Sequence, residues 1–79
     1  QLNFREYPLG EILKNIREET GILFRISPQT AKKFINIDIK AKDWKSSVQK
    51  LIADFSRIEV WTNKTKTSQI WLVESNPYN

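Results

Sequence analysis

The chain of 79 residues contains no cysteine, no histidine and no methionine. Without cysteine there is neither a disulfide framework nor a thiolate metal site. Without histidine the commonest acid–base group and the commonest metal ligand are both missing. Glycine occurs only at Gly10 and Gly21, so there is no GxGxxG run and no P-loop to wrap a phosphate. No stretch approaches the ~20 apolar residues of a membrane-spanning helix, and no charged-then-apolar leader opens the chain. A start at Gln1 with no methionine anywhere reads as either a processed product or a piece of a longer chain, and a module excised from a longer protein is the favoured reading, with Pro77 suited to a linker.

The same scarcity removes the usual catalytic sets. Ser27, Ser46, Ser47, Ser56, Ser68 and Ser75 lack a histidine to activate them, and no lysine is paired with a particular serine by spacing. Glu18 and Glu19 are neighbours on a predicted helix, where their side chains diverge. Asp38 falls on the polar face of a strand and Asp43 reads as a helix cap. The expectation is a non-enzymatic domain with no cofactor and no metal. Asn63-Lys64-Thr65 matches the N-glycosylation sequon, a motif common by chance.

What remains is a small basic domain. The net charge of +4 favours acidic partners at low salt, although solubility alone accounts for a charge of this size. Chains this short bury little more than half of their unfolded surface, so nearly every large apolar residue is needed for the core.

The apolar pattern writes one strand–helix–strand unit twice, from Leu2 to Ile26 and from Ile35 to Thr62, with a last strand near Ile70. In the first copy Leu2 and Phe4 alternate with polar neighbours, and Tyr7-Pro8 interrupts the strand. Leu9, Ile12, Leu13 and Ile16 then mark one helix face. Gly21 is placed for a left-handed cap, and Ile22, Phe24 and Ile26 alternate as a second strand. Ser27 to Thr30 reads as a turn, with one helical turn after it. In the second copy Ile35, Ile37 and Ile39 alternate with Asn36, Asp38 and Lys40. Asp43 caps a helix whose buried stripe is Trp44, Val48, Leu51, Ile52 and Phe55, stopping near Asp54 to Arg57. Ile58 to Thr62 and Gln69 to Glu74 form a closing hairpin around the polar loop Asn63 to Ser68. Pairing about Lys66 sets Trp61 opposite Trp71, and a slip of one residue sets it opposite Ile70. The predicted fold is α+β, in the order β-α-β-β-α-β-β.

Leu2-Asn3-Phe4, Tyr7-Pro8-Leu9, Ile12-Leu13, Ile16 and Thr20-Gly21-Ile22 resemble the opening of the STN domain, the secretin and TonB N-terminus short domain. Ile35-Asn36-Ile37-Asp38-Ile39 looks like its central strand, Asp43-Trp44 to Leu51-Ile52 like its second helix, and Ile70 to Val73 like its closing strand. Two loops depart from the family, which often has a glycine where Ala31 to Phe34 stand and another where Phe55-Ser56-Arg57 stand. The resemblance implies two helices packed between a two-stranded and a three-stranded sheet, with residues 1–75 as one STN-like domain and residues 76–79 as a linker or tail. It also implies a periplasmic module of an outer-membrane secretin channel or a TonB-dependent transducer. Its partners there are an inner-membrane secretion component, the periplasmic domain of a regulator, or neighbouring subunits. Neither direct membrane insertion nor nucleic acid is expected.

A fold with so few strands leaves unpaired edges to which a partner strand can add. The closing hairpin is the candidate surface, with Trp61 and Trp71 as anchors and Lys64 and Lys66 at its rim. The competing structural reading puts both tryptophans in the core, where the helical spacing of Trp44 with Val48 already places that residue. Two other functions compete. Excess lysine and three tryptophans suit a small basic nucleic-acid binder, although the RNP-like run and the GxxG loop of RNA-binding modules are missing. An exposed tryptophan would also suit an envelope polysaccharide.

Overall fold

A computed structural model describes residues 2–73 of the chain. Five strands and three helices follow one another as β1 (Leu2–Pro8), α1 (Leu9–Thr20), β2 (Leu23–Arg25), α2 (Pro28–Ala31), β3 (Phe34–Ile39), α3 (Trp44–Leu51), β4 (Arg57–Val60) and β5 (Gln69–Leu72). They build an α+β domain with a two-stranded sheet, β1-β3, and a three-stranded sheet, β2-β5-β4. The repeated unit is visible in the topology. The first strands of the two copies pair with each other, and the last strands flank β5, parallel on the β2 side and antiparallel on the β4 side.

The helices occupy the positions their apolar stripes dictate. Leu9, Ile12, Leu13 and Ile16 of α1 are all buried, and the helix lies against both β1 and β2, one strand from each sheet. Gly21 caps it in the left-handed region at φ 79°, its N–H donating to the Arg17 carbonyl at 2.7 Å. α3 lies against β3, and its Gln49 reaches β4 through a hydrogen bond to Glu59. Asp43 caps α3 by accepting from the Ser46 N–H at 3.2 Å. Ile37 and Ile39 of β3 and Ile70 and Leu72 of β5 close the core from the sheets, with Trp44 and Phe55 packed at its margin. Among the described residues, every buried side-chain nitrogen or oxygen has a hydrogen-bond partner.

Four local expectations are corrected. β1 does not stop before Tyr7-Pro8. It runs to Pro8 through a bulge between Phe4 and Tyr7, where Glu6 takes φ 50° and its N–H donates to Asn36 Oδ1 at 2.7 Å. The helical turn begins at Pro28 rather than after Thr30, because Ser27 caps it and accepts from the Thr30 N–H. α3 ends at Leu51, and turns carry the chain through Ile52 and Phe55. β4 covers Arg57–Val60 and leaves Trp61 and Thr62 in the connection to β5.

The hairpin register matches neither expected alternative. Ile58 faces Trp71 and Val60 faces Gln69. β4 stops at Val60, which moves Trp61 and Thr62 into the loop on the β4 side, and the loop closes through a 3-10 turn at Thr65–Thr67. The turn is fixed by the Lys64 carbonyl, which accepts from the side chains of Thr62, Thr67 and Ser68. The expected strand residue Glu74, together with the 75/76 boundary and Pro77, lies outside the described residues.

Candidate docking surface

The three-stranded sheet has one face on the core and one face turned away from it. Side-chain alternation along the paired strands sorts the residues. Phe24, Ile70 and Glu59 form one cross-strand row, and Ile70 is fully buried while Phe24 packs against the core. The next rows therefore point outward: Arg25–Trp71–Ile58 and Leu23–Gln69–Val60. Trp71 is half-buried at the centre of this outer face, beside Ile58 at 56% exposure and Val60 at 45%. Val73 extends the apolar strip past the end of β5 at 49% exposure. Single exposed apolar residues are ordinary on a protein surface, but a contiguous group is characteristic of a contact site. Arg25 is the cation on this face. Glu59, the one acid within the three strands, points to the other side.

The two tryptophans of the hairpin do not form one surface. Trp61 packs against the core. Its Nε1–H donates to Glu59 Oε1 at 2.7 Å, and Lys45 Nζ sits over its ring, 5.6 Å from the centroid. Glu59 also accepts from Gln49 Nε2 at 3.1 Å and from Arg57 Nε at 2.6 Å. The Trp61 donor, ahead of Arg57 and Gln49, holds the Glu59 carboxyl below its ordinary range and outweighs the desolvation that opposes it. Trp61 thus ties the end of β4 to α3, whereas Trp71 has the open sheet face.

Lys64 and Lys66 are both exposed in the β4–β5 loop. The backbone of Lys66 lies against the end of α1: a Cβ on Gly21 would fall 2.8 Å from Lys66 Cβ and 2.9 Å from its Cα. Thr65 Oγ1 donates to the Thr20 carbonyl at 2.9 Å in the same contact. The loop is therefore seated on the body of the domain, and its two ammonium groups are presented from a fixed base.

Arg25, Ile58 and Val60 join this surface beyond the residues expected from the sequence. The signal was present for Arg25, which alternates with Phe24 and Ile26. For Ile58 and Val60 the signal became legible only with the register, because slipping β4 by one residue exchanges its faces. Away from this face an exposed aromatic, Phe34 at 70%, stands beside a groove of about 620 Å³ lined by Pro8, Gly10, Pro28 and Ala31. Gly10 is small by necessity there, since a Cβ would lie 2.9 Å from that of Ala31. Among the described residues, no group of three or more histidine, cysteine, aspartate or glutamate side chains is arranged to hold a metal ion, and no helix is long and apolar enough to cross a membrane. Comparison with protein-family models, curated proteins and solved structures gives no match to this chain.

Proposed function

We propose that the chain is a non-enzymatic protein-docking module whose contact surface is the outer face of the β2-β5-β4 sheet. The observation that carries this reading is the contiguous strip of Trp71, Ile58, Val60 and Val73 on that face, with Arg25 beside it and no carboxylate from the three strands. A central tryptophan ringed by aliphatic side chains is the composition of an interface hot spot. The cation favours an acidic partner segment, and Lys64 and Lys66 add steering charge from the adjoining loop.

The resemblance to the STN domain supplies the setting. In that setting the module belongs to the periplasmic part of a secretin channel or a TonB-dependent transducer. It docks an inner-membrane component, a regulator domain or a neighbouring subunit in secretion or signalling.

The test is a backbone amide titration of the labelled chain with the periplasmic segment of a candidate inner-membrane or regulator protein encoded nearby. The expected result is a set of shifts at Leu23, Arg25, Ile58, Val60 and Trp71 that persists at raised salt. Shifts with an oligonucleotide that collapse steeply as salt rises, and none with such segments, would replace this reading with nucleic-acid binding.

A further inference from the structure

The four outer strand edges of the two sheets are not equivalent. The β1 strand is broken by its bulge, β2 is only three residues long, and the six-residue β3 edge belongs to the two-stranded sheet, apart from the apolar outer face described above. The β4 edge is regular over Arg57–Val60, and none of the described strands pairs with it on the side away from β5. Its hydrogen-bonding phase can be read from one contact. Val73 N–H donates to the Ser56 carbonyl at 2.8 Å, and these two residues continue the register that pairs Arg57 with Leu72 and Ile58 with Trp71. Hydrogen-bonded and non-hydrogen-bonded pairs alternate along an antiparallel ladder. The main-chain groups of Ile58 and Val60 are therefore turned to β5, and those of Arg57 and Glu59 are turned to the open edge.

We infer that this edge receives a second copy of the same strand, β4 against β4 in antiparallel pairing about a two-fold axis at Ile58. The register follows from charge. The outward main-chain groups can be matched by setting Arg57 on Arg57, Glu59 on Glu59, or Arg57 on Glu59. The first two place like charges directly opposite each other, which is destabilising, and the third pairs opposite charges twice. Only that third register also satisfies the N–H and C=O of Arg57 and Glu59 on both copies at once. On the outer face it brings Ile58 against Ile58 of the second copy, in a non-hydrogen-bonded pair where side chains approach most closely. The row Arg25–Trp71–Ile58 then continues across the axis into its own mirror sequence, and the sheet doubles with its apolar outer face intact. Two-fold closure uses both β4 edges, so the assembly stops at the dimer. A contact this short buries less than the ~1,000 Å² of a stable interface, so the dimer forms in a concentration-dependent way. The pairing needs only the chain itself and stands apart from the docking of any other protein.

The absence of native cysteine makes the register directly testable. In Ile58→Cys the thiols of two copies face each other, with Cβ atoms ~4.5–5.5 Å apart before the bond draws them together. In Val60→Cys the thiol faces Ser56 of the second copy instead of itself. Both sites are exposed, so both variants keep the fold. Under mild oxidation at high protein concentration, covalent dimer is expected about tenfold faster from Ile58→Cys than from Val60→Cys. Equal rates, faster coupling through position 60, or no coupling from either would overturn the inference. Independently, sedimentation of the unmodified full chain should show mass rising with concentration. Ile58→Lys, which sets two ammonium groups on the axis, should stay monomeric with an unchanged circular dichroism spectrum. An unmodified chain that remains monomeric throughout would also overturn the pairing, while leaving the amide-shift test of partner docking unaffected.

Discussion

The indole N–H of Trp61 donates to Glu59 Oε1 at 2.7 Å, joining the residue just past the end of β4 to one within it. Arg57 and Gln49 complete the environment of that carboxylate, so strand, loop and α3 meet at one side chain. This contact separates the roles of the hairpin tryptophans: Trp61 is committed to holding the domain together, and Trp71 faces outward.

The Glu59 cluster gives stability a specific pH dependence. Its carboxyl is held below the ordinary range in the folded state, chiefly by the Trp61 hydrogen bond. A depressed folded value means the stabilisation is complete above the unfolded glutamate value of ~4.3 and is lost as pH falls through the folded value. The urea midpoint followed by tryptophan fluorescence should therefore drop as pH is lowered below that range. Glu59→Gln should cost about 1 kcal/mol at neutral pH and show a smaller acid drop. An equal drop in both proteins would assign the acid sensitivity to other carboxylates.

Gly21 is required for two separable reasons. Its φ of 79° disfavours a side chain, and Lys66 leaves no room for a Cβ. Gly21→Ala should destabilise by ~1–3 kcal/mol. Gly21→Asn distinguishes the causes, because asparagine tolerates the left-handed region but still carries a Cβ. Thermal unfolding should place Asn close to Ala. Recovery toward the parent value would show that the loop gives way and that backbone conformation alone sets the requirement.

Adjacent residues on β5 should separate folding from docking. Ile70 is fully buried, so Ile70→Ala should cost ~2–5 kcal/mol of stability. Trp71→Ala loses cross-strand contacts with Ile58 and Arg25 on an open face and should cost about 1 kcal/mol or less. Against a partner protein the order should reverse, with Trp71→Ala weakening binding by ~2 kcal/mol or more. Calorimetry on both variants checks the reversal.

Lys64→Glu and Lys66→Glu act on exposed ammonium groups and should change stability by no more than ~0.5 kcal/mol. With an acidic partner they should slow association, and the difference from the parent chain should fade as salt is raised. A loss of affinity that is independent of salt would mean that the loop makes close contacts rather than steering.

The order of the main elements was legible because each carries a strong period. Ile35, Ile37 and Ile39 alternate, and Leu9, Ile12, Leu13 and Ile16 recur at helical spacing, so each segment has one apolar face whatever surrounds it. Gly21 and Asp43 marked helix ends for equally local reasons. The β1 bulge was not legible. Tyr7-Pro8 looks like a stop, but past the bulge Tyr7 and Pro8 still pair with Ile35 and Phe34 of β3, and Asn36 receives the Glu6 N–H at the bulge itself. The candidate surface was half legible. Trp71 lies half-buried on the outer face and Lys64 and Lys66 are exposed, but Trp61 is engaged by Glu59 and Lys45, and a partner for its indole cannot be read from spacing.

The sequence by itself determined the α+β class, the doubled strand–helix–strand unit, the capping of both long helices and the lack of cysteine and histidine chemistry. These depend on residue type and on periods of two and 3.6, which neighbours along the chain specify. Tertiary structure alone decided that Ile58 rather than Trp61 stands opposite Trp71, and with it which side chains share the outer face. Register is a relation between distant segments. Here it is set by the way the Lys64 carbonyl gathers Thr62, Thr67 and Ser68, and by the fit of the Lys66 backbone on Gly21. The Lys64 contacts are local to the loop, but the Gly21–Lys66 fit and the Thr65 hydrogen bond to the Thr20 carbonyl form only when the end of α1 and the loop are brought together in the folded chain.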